Sequence, residues 1–127
     1  MRILVHDFSG HPFQIQLSRA LAARGDDVLH AYCGDILTPK GPLARRPEDP
    51  VGFRVRDLGR GREFPKYQLG RRVIDESRYA RRFAACVREF RPDVVLLSND
   101  PVGPALQSAH RESSSHTYPS RPRALRR

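Results

Sequence analysis

The sequence of 127 residues carries a formal net charge of +9 and 39% hydrophobic residues, which indicates one domain with a modest core. No apolar run reaches the length of a membrane span, and no signal-peptide apolar region follows Met1. These features argue against an integral membrane protein and against several domains, and they predict a cytoplasmic location.

The first predicted elements are a strand, a helix and a second strand. RILVH is a short continuous apolar run, typical of a strand buried on both faces of a parallel sheet. FQIQLSRALAARG has the apolar recurrence of a helix, and Gly25 stands where a helix ends in the left-handed conformation. DDVLHAYC predicts the next strand, so the whole segment is a βαβ unit.

The middle of the chain predicts a loop, an exposed strand and a long helix. Residues 34–50 are dense in Pro and Gly, and VGFRVRDLG then alternates apolar and polar residues as a half-exposed strand near a sheet edge does. The following helix is predicted over Leu69–Phe90, and Pro92 closes it before DVVLLS, a further buried strand. The predicted apolar stripe of this helix consists of Val73, Ala80, Phe83, Ala84, Val87 and Phe90.

The order of these elements predicts an α/β fold with a Rossmann-like, doubly wound parallel sheet. Cys33 and Cys86 lie far apart within apolar runs and lack CxxC spacing, so we expect free buried thiols. A helix should begin near Pro104, but periodicity is lost after His110.

The last part of the sequence differs in composition from the rest. Residues 107–127 read QSAHRESSSHTYPSRPRALRR, with one large aliphatic residue and five Arg against one Glu. Such a polar segment buries too little apolar surface to offset the entropy lost on ordering. We therefore predict a domain over residues 1–106 and a disordered basic tail over residues 107–127.

The turn after the first strand, SGHPF, holds the main candidate site residues. Ser9, Gly10 and His11 follow that strand directly, where open parallel sheets bind ligands. Gly10 would let a ligand approach the backbone, and the helix N-terminus offers N–H groups to a phosphate. His11 can donate a hydrogen bond to a diphosphate or to a sugar hydroxyl. Phe13, in the same stretch, is also a predicted site residue. A structural interpretation is compatible with this: Ser9 caps the helix and Pro12 fills its first turn.

Two further candidates follow the last predicted strand. Asn99 and Asp100 end that strand, which should lie beside the first strand and share its crevice; the alternative is an Asx-type turn. His6 and Asp7 are adjacent on a strand and point to opposite faces, which argues against an acid/base pair. No metal-ligand spacing, P-loop or Ser/His/Asp order is found, so the catalytic residues are unknown.

These segments resemble a known family. MRILVHDFSGHPFQIQLSRALAARGDDVLHAYC is similar to the opening of the N-terminal Rossmann-like domain of GT-B glycosyltransferases, and more narrowly to family 4 enzymes of the colanic-acid and capsular-polysaccharide type. That family has an MRIL-type strand, a loop of the SGHPF kind and a helix with the pattern L-A-x-x-L-x-x-R-G-H-x-V. FRPDVVLLSNDP resembles its later P-D-V-V-x-x-x-x-x-P strand. The resemblance covers about residues 1–106.

The resemblance implies a nucleotide-sugar-dependent glycosyltransferase for cell-surface polysaccharide or glycoconjugate synthesis, with no metal and no cofactor beyond the donor substrate. It implies an acceptor-side site, possible peripheral membrane association and no specific nucleic-acid partner. The substrate-binding residues would be Ser9, Gly10, His11, Phe13, Asn99 and Asp100. The family's donor-binding second domain carries an E-x(7)-E motif, and nothing after His110 resembles it. We therefore expect an incomplete N-terminal domain, from a truncated gene or a shifted reading frame, that is inactive alone.

The basic charge supports an alternative from another class of protein. A small Rossmann-like binding protein could use an Arg-rich helix and tail on anionic partners, either nucleic acid or anionic lipid. Arg filling solvated helix faces explains the same charge without any partner. No nucleic-acid-reading motif is present to favour the binding protein.

Overall fold

The computed structural model describes residues 1–61 and 69–98, which form a parallel sheet of four strands with one helix against each face. The sheet order is β3-β2-β1-β4, and every neighbouring pair is parallel. This arrangement confirms the predicted α/β, Rossmann-like sheet. The elements are β1 (Arg2–Asp7), α1 (Pro12–Ala23), β2 (Asp27–Tyr32), β3 (Phe53–Asp57), α2 (Leu69–Phe90) and β4 (Val94–Ser98).

Alternation along the strands divides the core into two layers. Ile3 and Val5 of β1 pack with α1, together with Leu43 from the loop between β2 and β3. Leu4 of β1 packs on the opposite face, in a cluster that includes Tyr79 of α2. Both faces of β1 are covered, and its continuous apolar run is the pattern that predicted a strand buried on both faces.

The two edge strands differ in how well their sequences predicted them. β3 pairs only with β2 in the described sheet, and its buried Phe53 next to exposed Arg54 confirms the predicted half-exposed edge strand. The prediction of a buried β4 is wrong for the part of the chain that the structure describes. Its Val94, Leu96 and Leu97 are 38–39% exposed, because β1 is the one described neighbour of this strand.

The long helix matches its predicted bounds, and one residue of its predicted apolar stripe is exposed. α2 runs opposite to the strands, since Tyr79 packs against Phe8 after β1, while Phe90 lies under Arg2 at the start of β1. Its 22 residues span about 33 Å, and a strand of five residues spans about 17 Å. The first turns therefore extend past the carboxyl edge of the sheet, and Val73 is 61% exposed.

Of the two predictions about the ends of α1, the one for its C-terminus is confirmed and the one for its N-terminal cap is wrong. Gly25 has φ +96°, as predicted for a residue that ends a helix, and Pro12 lies in the first turn. The prediction that Ser9 caps the helix is wrong: the N-cap residue is His11, and its side chain makes no capping hydrogen bond. The N-terminus of α1 is held instead through the backbone of the preceding loop.

Candidate functional site

The sheet order creates a crevice at the carboxyl ends of β1 and β4. The chain moves outward from β1 to β2 and β3, then returns to place β4 on the other side of β1. Ligands of open α/β sheets bind at such a reversal of strand order. The loop from Phe8 to His11 and the end of β4 at Ser98 border this crevice. Asn99 and Asp100 follow Ser98 in the chain and lie outside the described residues.

Two hydrogen bonds join the walls of the crevice. The Phe8 backbone N–H donates to the Ser98 carbonyl at 3.4 Å, and the Gln14 side-chain amide donates to Ser98 Oγ at 2.7 Å. Gln14 belongs to the first turn of α1, so this contact ties the helix N-terminus to β4. Neither the Gln14 nor the Ser98 side chain has a distinct signal in the sequence, because Gln and Ser are ordinary residues at these positions.

Asp7 organises the loop that follows β1. Its side chain is buried, and its carboxylate accepts hydrogen bonds from the backbone N–H groups of Ser9, at 3.2 Å, and His11. The Gly10 N–H donates to the Asp7 carbonyl at 3.3 Å. The N–H groups of this loop, which the sequence offered to a phosphate, are therefore bonded within the protein. A carboxylate that ends a strand before a Ser-Gly turn is the signal that could have predicted this role.

The loop between β2 and β3 packs over the SGHP turn. Thr38 Oγ1 donates to the Ser9 carbonyl at 2.6 Å, and the Gly41 N–H donates to the Gly10 carbonyl at 3.2 Å. Gly10 has φ +73°, so glycine suits the turn, and a Cβ there would lie 3.3 Å from Leu43 Cδ1. The close approach at Gly10 is thus made by the protein's own loop, and Gly10 is buried.

The accessible part of the predicted site consists of side chains. Phe13 is 61% exposed, and the ring of His11, which is partly exposed, lies nearly parallel to the Phe13 ring with 6.3 Å between centroids. Gln14 and Ser98 lie at the same end of α1 and carry polar groups. The structure therefore brings an aromatic pair and a polar pair to the mouth of the crevice.

Aromatic residues below the loop fix the base of the crevice. His6 points to the α2 face, where its Nε2 is hydrogen-bonded to the Tyr79 hydroxyl at 2.8 Å. Its ring also contacts Phe83, with 4.4 Å between centroids, and Phe8 meets Tyr79 edge-on. His6 and Asp7 thus occupy opposite faces, as predicted.

Two other Asp residues bond loop N–H groups near the carboxyl edge of the sheet. Asp35 accepts from Arg60 and Gly61, and Asp57 accepts from Gly34 and Gly59. Among residues 1–61 and 69–98, no group of three or more His, Cys, Asp or Glu side chains could hold a metal ion. The Asp35 and Asp57 carboxylates therefore stabilise the loops that follow β2 and β3.

The core also contains two cysteines and a histidine. Cys33 and Cys86 are free and buried, as expected, and burial raises the pKa of the Cys33 thiol to about 11 and also raises the pKa of Cys86. His30 is buried within the α1 face, and its Nδ1 lies 2.9 Å from Ser18 Oγ. Thiols with raised pKa are poor nucleophiles at neutral pH.

A separate cavity of about 500 Å³ runs along the edge strand β3. Its lining includes Arg54 and Arg56, whose guanidinium groups pair with Asp27 and Glu89. These two guanidinium groups are already paired within the protein, and the cavity lies away from the reversal of strand order. We therefore place the candidate site at the crevice between β1 and β4.

Comparison with known proteins yields one match. Residues 14–120 match the family model described as a glycosyl transferase 4-like domain. No curated protein and no solved structure matches the chain significantly. The matched range begins directly after Phe13, so it leaves the site assignment of Ser9, Gly10, His11 and Phe13 a prediction. Within the part of the chain that the structure describes, no helix is both long and apolar enough to cross a membrane.

Proposed function

Because the chain belongs to the family of glycosyl transferase 4-like domains, we propose that it is the acceptor-side domain of a nucleotide-sugar-dependent glycosyltransferase with the GT-B fold. The family and the parallel sheet support a glycosyltransferase-type function. We propose as the acceptor a cell-surface polysaccharide or glycoconjugate of the colanic-acid or capsular type. A second Rossmann-like domain binds the donor in this proposal, and the chain alone is inactive.

The observation that carries the proposal is the mouth of the crevice. The exposed Phe13 ring, stacked on His11, offers an apolar face to the C–H groups of a sugar ring. Gln14 and Ser98 beside it provide amide and hydroxyl groups that can exchange hydrogen bonds with sugar hydroxyls. A few placed polar groups beside an aromatic surface are typical of a small-molecule site.

The role proposed for this chain is positioning. Transfer of a hexose from a nucleotide sugar requires the acceptor hydroxyl to lie in line with the anomeric carbon, and the departing diphosphate requires stabilisation of its charge. The side chains at the crevice are suited to the first task, since they can hold a polyhydroxylated acceptor. Stabilising the diphosphate is assigned to the donor-binding domain.

The proposal is tested by measuring hexose transfer from nucleotide sugars to glycoside acceptors. We expect no turnover from the chain alone, and turnover when it is fused to a donor-binding domain from the same family. In the fusion, Phe13→Ala should lower kcat/KM for the acceptor about tenfold and leave the donor KM unchanged, because it removes a stacking surface used only by the acceptor.

Val51→Ala is the matched control for that substitution. Val51 is 92% exposed and precedes β3 near the amino edge of the sheet, so its removal should change neither parameter. Turnover by the 127-residue chain alone would contradict the proposal, and so would a Phe13→Ala effect confined to the donor KM.

The alternative function, a basic module for anionic partners, is not favoured by the family match. Much of the charge on the described residues is also locally balanced: Arg72 pairs with Glu76, and Arg78 pairs with Asp75. Salt-dependent binding to nucleic acid that is lost on deleting residues 107–127 would favour that alternative. Peripheral association with the inner face of the membrane remains part of the main proposal.

A further inference from the structure

We propose that Asp7 determines the charge of the ligand at the crevice. Its carboxylate prevents the SGHP loop from binding the diphosphate of a nucleotide sugar. The mouth of the crevice then binds a neutral acceptor that carries hydroxyl groups. The identity of the acceptor rests on the proposed function. The exclusion of diphosphate rests only on contacts within this chain.

The first step of the argument concerns hydrogen-bond donors. Loops between a strand and a helix bind phosphate through free backbone N–H groups. Here the N–H groups of Ser9 and His11 donate to the Asp7 carboxylate, and that of Gly10 donates to the Asp7 carbonyl. Pro12 has no N–H. Four consecutive residues therefore offer no free backbone donor to an anion.

The second step concerns access to the backbone. A diphosphate can use such a loop only if it approaches the peptide groups closely. The carbonyls of Ser9 and Gly10 accept hydrogen bonds from Thr38 and Gly41, so the loop after β2 covers this side of the turn. A Cβ on Gly41 would lie 2.6 Å from Pro12 Cα, which shows how closely the two segments pack.

The third step concerns charge. The Asp7 side chain is fully buried, so water screens it poorly from any group on the loop. Two cations lie near the loop: Arg19 of α1 is paired with Asp49 at 2.7 Å, and the Lys40 ammonium donates to the Ile36 carbonyl, so neither is bonded to Asp7. A diphosphate would meet a like charge, whereas a neutral hydroxyl meets no such repulsion. Asp7 thus acts as a built-in anion where a phosphate would otherwise bind.

The test is a titration of the full chain with inorganic pyrophosphate at constant ionic strength, followed by backbone amide NMR shifts. In the unmodified chain the Ser9 and His11 amides should not respond. Asp7→Asn removes the charge and keeps one acceptor oxygen, so these amides should respond saturably, with affinity at least about tenfold higher. Asp57→Asn is the matched control: it removes an equal charge that also accepts loop N–H groups, and the Ser9 and His11 amides should stay unresponsive.

A saturable response of Ser9 and His11 in the unmodified chain would overturn the proposal, and so would an Asp7→Asn response no greater than that of Asp57→Asn. If Asp7→Asn fails to fold, the unmodified chain decides: unresponsive Ser9 and His11 amides support the proposal. A parallel titration with a methyl glycoside tests acceptor binding. Failure there contradicts the proposed function and leaves the pyrophosphate result standing.

Discussion

His30 shows how the sheet treats a titratable residue in its core. The residue is fully buried on the α1 face, in register with Val5, and its one described hydrogen bond joins Nδ1 to Ser18 Oγ. Burial lowers the pKa of His30 to about 4; Asp7 opposes this shift, while His6 and Arg19 add to it. His30 is therefore neutral in the folded protein at neutral pH.

This pKa gives the first prediction, on stability against pH. In the unfolded chain His30 titrates near 6.5, so between pH 6.5 and 4 the unfolded state binds more protons than the folded state. Stability should be unaffected above pH 6.5 and fall as pH drops, by roughly 2 kcal/mol between pH 7.5 and 5. Urea unfolding at several pH values measures this slope.

His30→Gln is the control for that prediction, because its amide can still bond Ser18 and does not titrate. The variant should lose the part of the slope between pH 7.5 and 5 that belongs to His30. An identical slope in the variant and the parent would contradict the assignment, since carboxylates would then explain the whole pH dependence.

At the scale of elements, the loop between β2 and β3 is attached to α1 through one Arg. Arg19 Nε donates to Asp49 at 2.7 Å, and its Nη2 donates to the carbonyls of Pro42 and Ala44 at 3.0 Å. The two charged side chains are 15% and 3% exposed. The Arg19 guanidinium holds the pKa of the Asp49 carboxyl below its usual range. This attachment keeps the loop over the SGHP turn.

The second prediction compares this ion pair with an exposed one. Arg19→Met removes the guanidinium donors from a buried carboxylate, which keeps its hydrogen bond from the Arg46 N–H, and from two carbonyls, so the free energy of unfolding should fall by about 3 kcal/mol. Glu89→Gln breaks the pair of Glu89 with Arg56, whose side chains are 66% and 38% exposed, and should change stability much less, because water screens an exposed ion pair. Equal effects in urea denaturation would contradict this account.

At the scale of the whole molecule, α2 extends past the sheet edge that carries the crevice. Val73 and Ile74 on this extension are 61% and 51% exposed, and Arg81 near them is exposed as well. A helix face that combines apolar and basic residues suits the surface of an anionic membrane. This arrangement supports the proposed peripheral membrane association.

The third prediction concerns vesicle binding by the full chain. It should sediment with vesicles rich in phosphatidylglycerol and not with neutral phosphatidylcholine vesicles, and binding should weaken as salt rises. Val73→Asp combined with Ile74→Asp should reduce binding at least about tenfold, since it removes apolar contact and adds negative charge. Val51→Asp, at the opposite edge of the sheet, should have little effect. Equal binding by both variants would contradict a role for α2.

The sequence by itself determined the elements and their order. A continuous apolar run predicted β1, and the segment DDVLHAYC predicted β2. Alternation predicted the edge strand β3, and the 3.6-residue period together with Pro92 predicted α2. These properties are local, because each depends on side chains a few residues apart. The α/β class followed from the same order, and the resemblance it carried agrees with the glycosyl transferase 4-like family match.

Only the tertiary structure decided which backbone and side-chain groups of the candidate site are available to a ligand. Asp7 reads in the sequence as the last residue of a strand, and only the folded turn brings the N–H groups of Ser9 and His11 onto its carboxylate. The contact between Gln14 and Ser98 spans 84 positions in the chain. The exposure of β4 and Val73 likewise depends on which elements cover them. Local patterns predict elements, but burial and hydrogen-bond partners are set by groups distant in sequence.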